Sequence, residues 1–224
     1  MKMVYYITKQ DSSPYDSLAT PLRLLDIQVI IDTRLEDKLL YCDSLIFTSK
    51  NSVLSLEAQI NHTKWAKIPT YCLGNASKRE LERLQIKPYY VSKSPYGDEF
   101  AFELVGILKN KNPLFIRAKK VASNLYETLR DNGINIVESV LYETSFVILE
   151  DKVKLDKNSV IFFSSPSGVE AFLFNYNWHS SYIALCIGKT TYEFAQSRLH
   201  NANIIISPSI SIEESLKYAK NDLC

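Results

Sequence analysis

The sequence predicts an α/β protein of two similar lobes, each built on a five-stranded parallel sheet, and two observations carry that prediction. The first is an internal repeat. Leu45-Ile46-Phe47-Thr48-Ser49-Lys50-Asn51-Ser52-Val53 returns as Ile161-Phe162-Phe163-Ser164-Ser165-Pro166-Ser167-Gly168-Val169. Cys72-Leu73-Gly74 returns as Cys186-Ile187-Gly188, and Val91-Ser92-Lys93-Ser94 as Ile206-Ser207-Pro208-Ser209. All three keep an offset of about 115 residues, too long for a solenoid unit and the size of a small domain. The second observation is the alternation of short apolar runs with helical segments, which argues for parallel strands joined by right-handed crossovers. Polar turns at matching places on two lobes imply a cleft between them.

In chain order, the first half reads as strands at 3–8, 27–34, 44–48, 70–73 and 88–92, with helices at 15–25, 51–60, 76–85 and 97–109. The second half reads as strands at 113–117, 134–148, 159–163, 182–187 and 203–207, with helices at 120–131, 167–176, 190–199 and 211–220. The strands are short runs of Ile, Val, Phe and Tyr, as strands covered on both faces require. Gly133 after Leu129-Arg130-Asp131-Asn132 marks a helix stop, and Ser211-Ile212-Glu213-Glu214 puts a capping hydroxyl before an acidic first turn. Two runs exceed what a buried strand needs. From Ile31 and from Leu141 onward, apolar and polar residues alternate, so one face is wet. The pattern alone leaves open whether these continuations leave the sheets or are ordinary loops.

Composition narrows the classes. The chain has 224 residues, 46% hydrophobic and 23% charged, with a net charge of +1, which gives no reason to expect a nucleic-acid or membrane partner. No apolar run reaches membrane-span length. Met1-Lys2-Met3-Val4-Tyr5-Tyr6-Ile7 runs directly into a strand pattern without the features of a secretion signal, so a cytoplasmic location is expected. Cys42, Cys72, Cys186 and Cys224 are scattered, as are His62, His179 and His200, so neither a metal nor a disulfide framework is expected. Cys72 and Cys186 read as buried small hydrophobes.

Ligands of open parallel sheets bind beyond the carboxyl ends of the strands. The segments there are Thr48-Ser49-Lys50-Asn51-Ser52, Gly74-Asn75-Ala76-Ser77, Ser164-Ser165-Pro166-Ser167-Gly168 and Gly188-Lys189-Thr190-Thr191. Each leads into a helix whose first N–H groups lack internal partners and whose dipole is positive there, so each can cap itself or hold a carboxylate or phosphate. Repetition on both lobes favours a ligand with several anionic arms. Lys9, Lys50, Arg117, Lys119, Lys120 and Lys189 stand near the same strand ends. The sequence has no GxGxxG, no GxxxxGK[ST] and no GxSxG, and no His stands in a motif that would activate a nucleophile. Catalysis would then lean on positioning and dipoles.

With these residues in view, the chain resembles the uroporphyrinogen-III synthase family. The similar elements are Ile46-Phe47-Thr48-Ser49, Leu73-Gly74-Asn75-Ala76, Phe115-Ile116-Arg117, Leu141-Tyr142-Glu143-Thr144, Phe163 to Val169 and Cys186-Ile187-Gly188-Lys189-Thr190-Thr191, in the family's order from end to end. Two departures are visible: Lys9 stands where many members carry Thr-Arg-Pro, and Lys189 replaces a common Pro.

The resemblance implies a monomer of two flavodoxin-like lobes joined by a two-stranded antiparallel ladder, with the active site in the cleft. One lobe would hold 1–29 and 152–224, the other 38–139, and 30–37 and 140–151 would form the ladder. The implied reaction, with no cofactor, cyclises hydroxymethylbilane, a linear tetrapyrrole with an acetate and a propionate on each ring. The terminal hydroxyl leaves as water to give an azafulvene. The far ring attacks through its substituted carbon, and a spiro intermediate fragments and recloses with that ring inverted. Unaided closure gives the uninverted isomer, so the enzyme has to steer both ends of the substrate. The resemblance implies Tyr142 as the catalytic residue, and Lys9, Thr48, Ser49, Lys50, Asn75, Ala76, Arg117, Ser165, Pro166, Ser167, Gly168, Lys189, Thr190 and Thr191 as substrate-binding. It is also compatible with hand-over of substrate from the preceding enzyme. The rival readings are a non-catalytic two-lobed binder of a small anion, and a sugar-nucleotide transferase lacking the expected Gly-rich turn or acidic pair.

Overall fold

The computed structural model describes residues 3–8 and 15–223. The chain divides into two compact units, one of residues 1–26 and 145–224, the other of residues 27–144.

In the first unit the strands are β1 (Tyr5–Ile7), β2 (Thr20–Pro21), β9 (Val160–Phe163), β10 (Ile183–Cys186) and β11 (Asn203–Ile206). They form a parallel sheet in the order β11-β10-β9-β1-β2. Strand β9 is buried along its whole length, which explains its unbroken Val160-Ile161-Phe162-Phe163. Ile161 and Phe163 face Val169 and Phe172 of α6 (Pro166–Asn175) and Ala195 of α7 (Lys189–Arg198). Val160 and Phe162 face Leu216 and Ala219 of α8 (Ile212–Asp222). Period-two alternation thus supplies two cores from one strand.

In the second unit a six-stranded sheet runs in the order β3-β8-β7-β4-β5-β6. Its strands are β3 (Leu25–Val29), β4 (Ser44–Phe47), β5 (Thr70–Cys72), β6 (Tyr90–Val91), β7 (Pro113–Ala118) and β8 (Val137–Phe146). One face packs Leu45, Phe47, Leu114 and Ile116 on Val53 and Leu56 of α2 (Lys50–Gln59) and Leu81 of α3 (Gly74–Arg83). The other packs Ile46 and Phe115 on Phe100 and Leu104 of α4 (Gly97–Ile107) and Leu129 of α5 (Leu125–Asp131).

The structure corrects three sequence expectations. The sheets are not both five-stranded and parallel. β8 pairs with β7 in parallel from Val137 to Tyr142 and then runs on past it, and β3 adds to it as an antiparallel edge, since Val147 N–H donates to Leu24 O and Ile30 N–H to Leu141 O. Residues 15–25 are not an α-helix: Pro21 cannot continue a helix, Arg23 sits at φ +48°, and Thr20–Pro21 pairs with β1 instead. The strand expected over 27–34 ends at Val29, and α1 (Leu35–Tyr41) takes up residues expected to lie in the ladder. The Asp32 carboxylate accepts the Arg34 N–H at 3.0 Å, which turns the chain into that helix.

The reading of Cys72 and Cys186 as buried small hydrophobes holds. Cys72 and Cys186 are fully buried free thiols, pushed up to about 12 by burial. Cys224 lies outside the described residues. Among the described residues no helix is long and apolar enough to cross a membrane, and no three His, Cys, Asp or Glu side chains could hold a metal together.

Candidate active site

In the second unit, β4 ends at Phe47 and Thr48-Ser49 turn the chain into α2. Ser49 caps that helix: its Oγ accepts the Asn51 N–H at 3.0 Å, and its carbonyl accepts the Ser52 hydroxyl at 2.6 Å. The phenol of Tyr142, 5% exposed, lies beside the same Ser49 side chain. Burial pushes that phenol above its ordinary range, and the Ser49 hydroxyl offsets this only in part. At neutral pH Tyr142 is therefore a proton donor.

Tyr142 reaches α2 because β8 is irregular. Arg117 pairs with Val140 and Ala118 with Tyr142, which leaves Leu141 as an extra residue. A bulge of this kind aims two consecutive side chains at the same face. Leu141 enters the core under α2, and Tyr142, the next residue, follows it to the Ser49 cap. The ring has to cross two strand spacings, roughly 9–10 Å, about the length of a tyrosine plus one hydrogen bond. The strand register sets the small Ala118 between them.

Arg117 is otherwise engaged. Its Nε and Nη2 each donate at 2.7 Å to Glu138, and Nη1 donates to the carbonyls of Ala118 at 2.9 Å and Lys119 at 3.2 Å. Lys119 N–H donates to Tyr142 O at 2.8 Å, and its ammonium to Glu143 at 3.0 Å. These bonds fix the Arg117 guanidinium beside Glu138 and the turn that follows β7. At α3, Gly74 turns at φ +73°, in the left-handed region that favours glycine. Asn75 and Ala76 are exposed, and Leu73 at the cap position offers no side-chain bond.

In the first unit, Ser165 Oγ caps α6 by accepting the Gly168 N–H at 3.3 Å and lies 2.9 Å from Ser167 Oγ, while Pro166 opens the helix. Gly168 is buried where a Cβ would lie 2.6 Å from Thr8 Oγ1, so its absence of a side chain is a packing requirement. α7 begins after Gly188 with no side-chain cap. Lys189 and Thr190 are exposed there, and Thr191 is buried. Lys189 pairs weakly with Glu193 at 3.7 Å. Lys9 lies outside the described residues.

Each unit thus gathers polar turns along the carboxyl edge of its own sheet, two helices self-capped by serine (α2, α6) and two uncapped (α3, α7). A family model described as Uroporphyrinogen-III synthase HemD matches residues 24–216. The chain belongs to the uroporphyrinogen-III synthase family. It is similar to a solved uroporphyrinogen-III synthetase from Helicobacter pylori 26695, at 24% identity and a TM-score of 0.79 over 97% of this chain and 98% of that one. It is also similar to a mutant uroporphyrinogen III synthase from the extremely thermophilic bacterium Thermus thermophilus, at 12% identity and a TM-score of 0.60 over 99% of each chain. At these identities the two likenesses establish the fold. A search of curated proteins returns no match.

Uroporphyrinogen-III synthase is a cyclising lyase of tetrapyrrole biosynthesis that closes hydroxymethylbilane with loss of water and inversion of its last ring. Sequence reasoning missed a polar network at the far end of α2 from the Ser49 cap. Asp32 accepts from the Lys38 ammonium and the Ser139 hydroxyl, and Lys38 also donates to Glu138 O at 2.9 Å. Gln59 bonds Ile30 O at 2.9 Å and accepts Asp32 N–H at 3.1 Å. Polar residues inside the alternating runs were the available signal, and their partners lie far along the chain.

Proposed function

We propose that Tyr142 is the group of this synthase that assists departure of the terminal hydroxyl of hydroxymethylbilane, and that the polar turns hold the acid arms. The observation that carries this reading is the buried phenol beside the N-cap of α2 at the carboxyl edge of the sheet. A neutral phenol in a dry setting can pass a hydrogen bond or a proton to an oxygen that leaves as water. Burial keeps it neutral at the pH where that is needed.

The uncapped first turns of α3 and α7 offer N–H groups to carboxylates, with Asn75, Ala76, Lys189 and Thr190 beside them. Thr48, Ser49 and Lys50, and Ser165, Pro166, Ser167 and Thr191, line the corresponding turns. In this reading the two units are flavodoxin-like lobes whose turns hold the arms of one flexible polyacid, and the grip decides which carbon of the last ring bonds. The enzyme acts as a cytoplasmic monomer and takes its substrate from the preceding enzyme before unaided closure occurs.

The test is direct. Purified protein is mixed with freshly made hydroxymethylbilane, and the ratio of the two cyclic isomers is compared with a protein-free control. An excess of the inverted isomer is expected; the control ratio in both tubes would end the proposal. Size-exclusion with light scattering checks the monomer.

A further inference from the structure

The bulge that aims Tyr142 is held from the opposite face of the sheet. Glu138 pairs with Phe115 of the α4–α5 core, and Arg117 lies on that same face, opposite Val140. There the guanidinium meets the carboxylate in a two-bond fork, both contacts at 2.7 Å, with side-chain exposures of 17% and 32%. A fork fixes orientation as well as distance, unlike a point contact. Its remaining nitrogen holds the carbonyls of Ala118 and Lys119, the two residues at which β7 leaves the ladder. Lys119 then returns to β8 by donating its N–H to Tyr142 O.

The sequence of contacts is Glu138, Arg117, the 118–119 turn, and the Tyr142 backbone. It closes a ring around Leu141, the residue that the bulge adds. We infer that the Arg117–Glu138 pair is the positioning element that locks the β8 bulge and thereby the aim of Tyr142 at Ser49. This inference rests on the role of Tyr142 proposed above. The fork adds a side-chain tie to the ladder pairing that sets Val140 opposite Arg117. A slip of one residue would turn the phenol away from α2, because side chains alternate faces. Neither Arg117 nor Glu138 touches the reacting atoms in this account.

The test uses the full chain in two variants, Glu138→Gln and Arg117→Lys. Each keeps size or charge while removing the two-bond geometry. The first readout needs no substrate: the Tyr142 phenol is titrated by NMR of ring-labelled tyrosine, its signal assigned by its loss in Tyr142→Phe. The second is kcat and KM with hydroxymethylbilane.

In both variants the Tyr142 titration is expected to move down toward the ordinary tyrosine value of about 10. Turnover is expected to fall by on the order of tenfold, with KM within about twofold of wild type. An unmoved titration overturns the inference; a moved titration with unaltered kcat supports it and instead overturns the proposed role of the phenol. A loss confined to KM with the phenol unmoved would make Arg117 a substrate contact and also overturn it. Should Arg117→Lys fail to fold, Glu138→Gln decides by the same readouts. If wild-type protein yields no excess of the inverted isomer, the proposed function fails, while the titration still decides whether the pair aims Tyr142.

Discussion

Tyr142 and Ser49, distant in sequence, bring a buried phenol beside the hydroxyl that caps α2. The two side chains are therefore coupled but not equivalent. Tyr142→Phe removes the phenol and leaves the cap, so turnover should fall by about 100-fold while melting changes by a few degrees at most. Ser49→Ala removes both the cap and the partner, and should cost about 1 kcal/mol of stability besides. The double variant should turn over no more slowly than Tyr142→Phe alone, because both remove one unit. Unaltered turnover in Tyr142→Phe would rule out a chemical role for the phenol.

The same phenol sets an alkaline signature. Its folded-state value lies above the ordinary one, chiefly through burial. Below about pH 10 both folded and unfolded chains keep the proton and no stability depends on it. Above that, the unfolded chain loses its proton first, so stability falls as pH rises toward the folded value. Tyr142→Phe should flatten melting temperature against pH above about pH 10 relative to wild type. Parallel curves would mean the phenol is no more buried than an ordinary tyrosine.

Most of the architecture was legible in the sequence because burial on both faces of a parallel strand writes an unbroken apolar run, as in Val160 to Phe163 and Leu45 to Phe47. The serine caps were legible for the same local reason, since Ser49 and Ser165 act on N–H groups two and three residues away. What escaped was settled by pairing. Ile31 to Glu36 alternates apolar and polar residues as a strand would, and the Asp32–Arg34 turn ends that run by leading into the helix that starts at Leu35. The pairing of Arg117 with Glu138 escaped because the two belong to different strands. The bulge at Leu141 changes which residues share a face, and no pattern within β8 announces it.

Asp32 yields an acid-side prediction. Burial alone would raise its carboxyl, but hydrogen bonds from Lys38, Ser139 and the Arg34 N–H win and hold it below the usual carboxylate range. Its contribution is present above the unfolded value of about 4 and is lost as pH falls through the lower folded value. Asp32→Asn should therefore lower the melting temperature at pH 7 by several degrees and narrow its gap from wild type below about pH 4. An equal gap at pH 7 and pH 3 would show that the charge does not matter there.

Thr190 and Thr191 are neighbours with different surroundings, exposed and buried respectively at the start of α7. If the uncapped turn holds an acid arm, Thr190→Ala should reduce kcat/KM by roughly tenfold, the worth of one hydrogen bond to a charged group, with melting unchanged. Thr191→Ala should lower the melting temperature as well, because its side chain fills buried space. Melting curves and initial rates on the same preparations separate the two. Loss of stability without loss of rate at Thr190 would reduce the turn to a simple helix start.

Gly168 tests whether a residue of the repeated turn serves binding or packing. A methyl placed there would stand 2.6 Å from the hydroxyl of Thr8, itself buried at the end of β1 and donating to Phe162 O at 3.3 Å. β1 and β9 are paired neighbours, so neither backbone can retreat without loosening the ladder. Gly168→Ala should therefore destabilise the chain by about 1–3 kcal/mol, the usual range for overpacking. Thr8→Ala should cost less by itself and should recover part of the loss when combined with Gly168→Ala, since it removes the clashing oxygen. Denaturant unfolding of the four chains measures this coupling. Strict additivity would mean that the two side chains do not compete for the same space, and that Gly168 is glycine for the sake of the ligand.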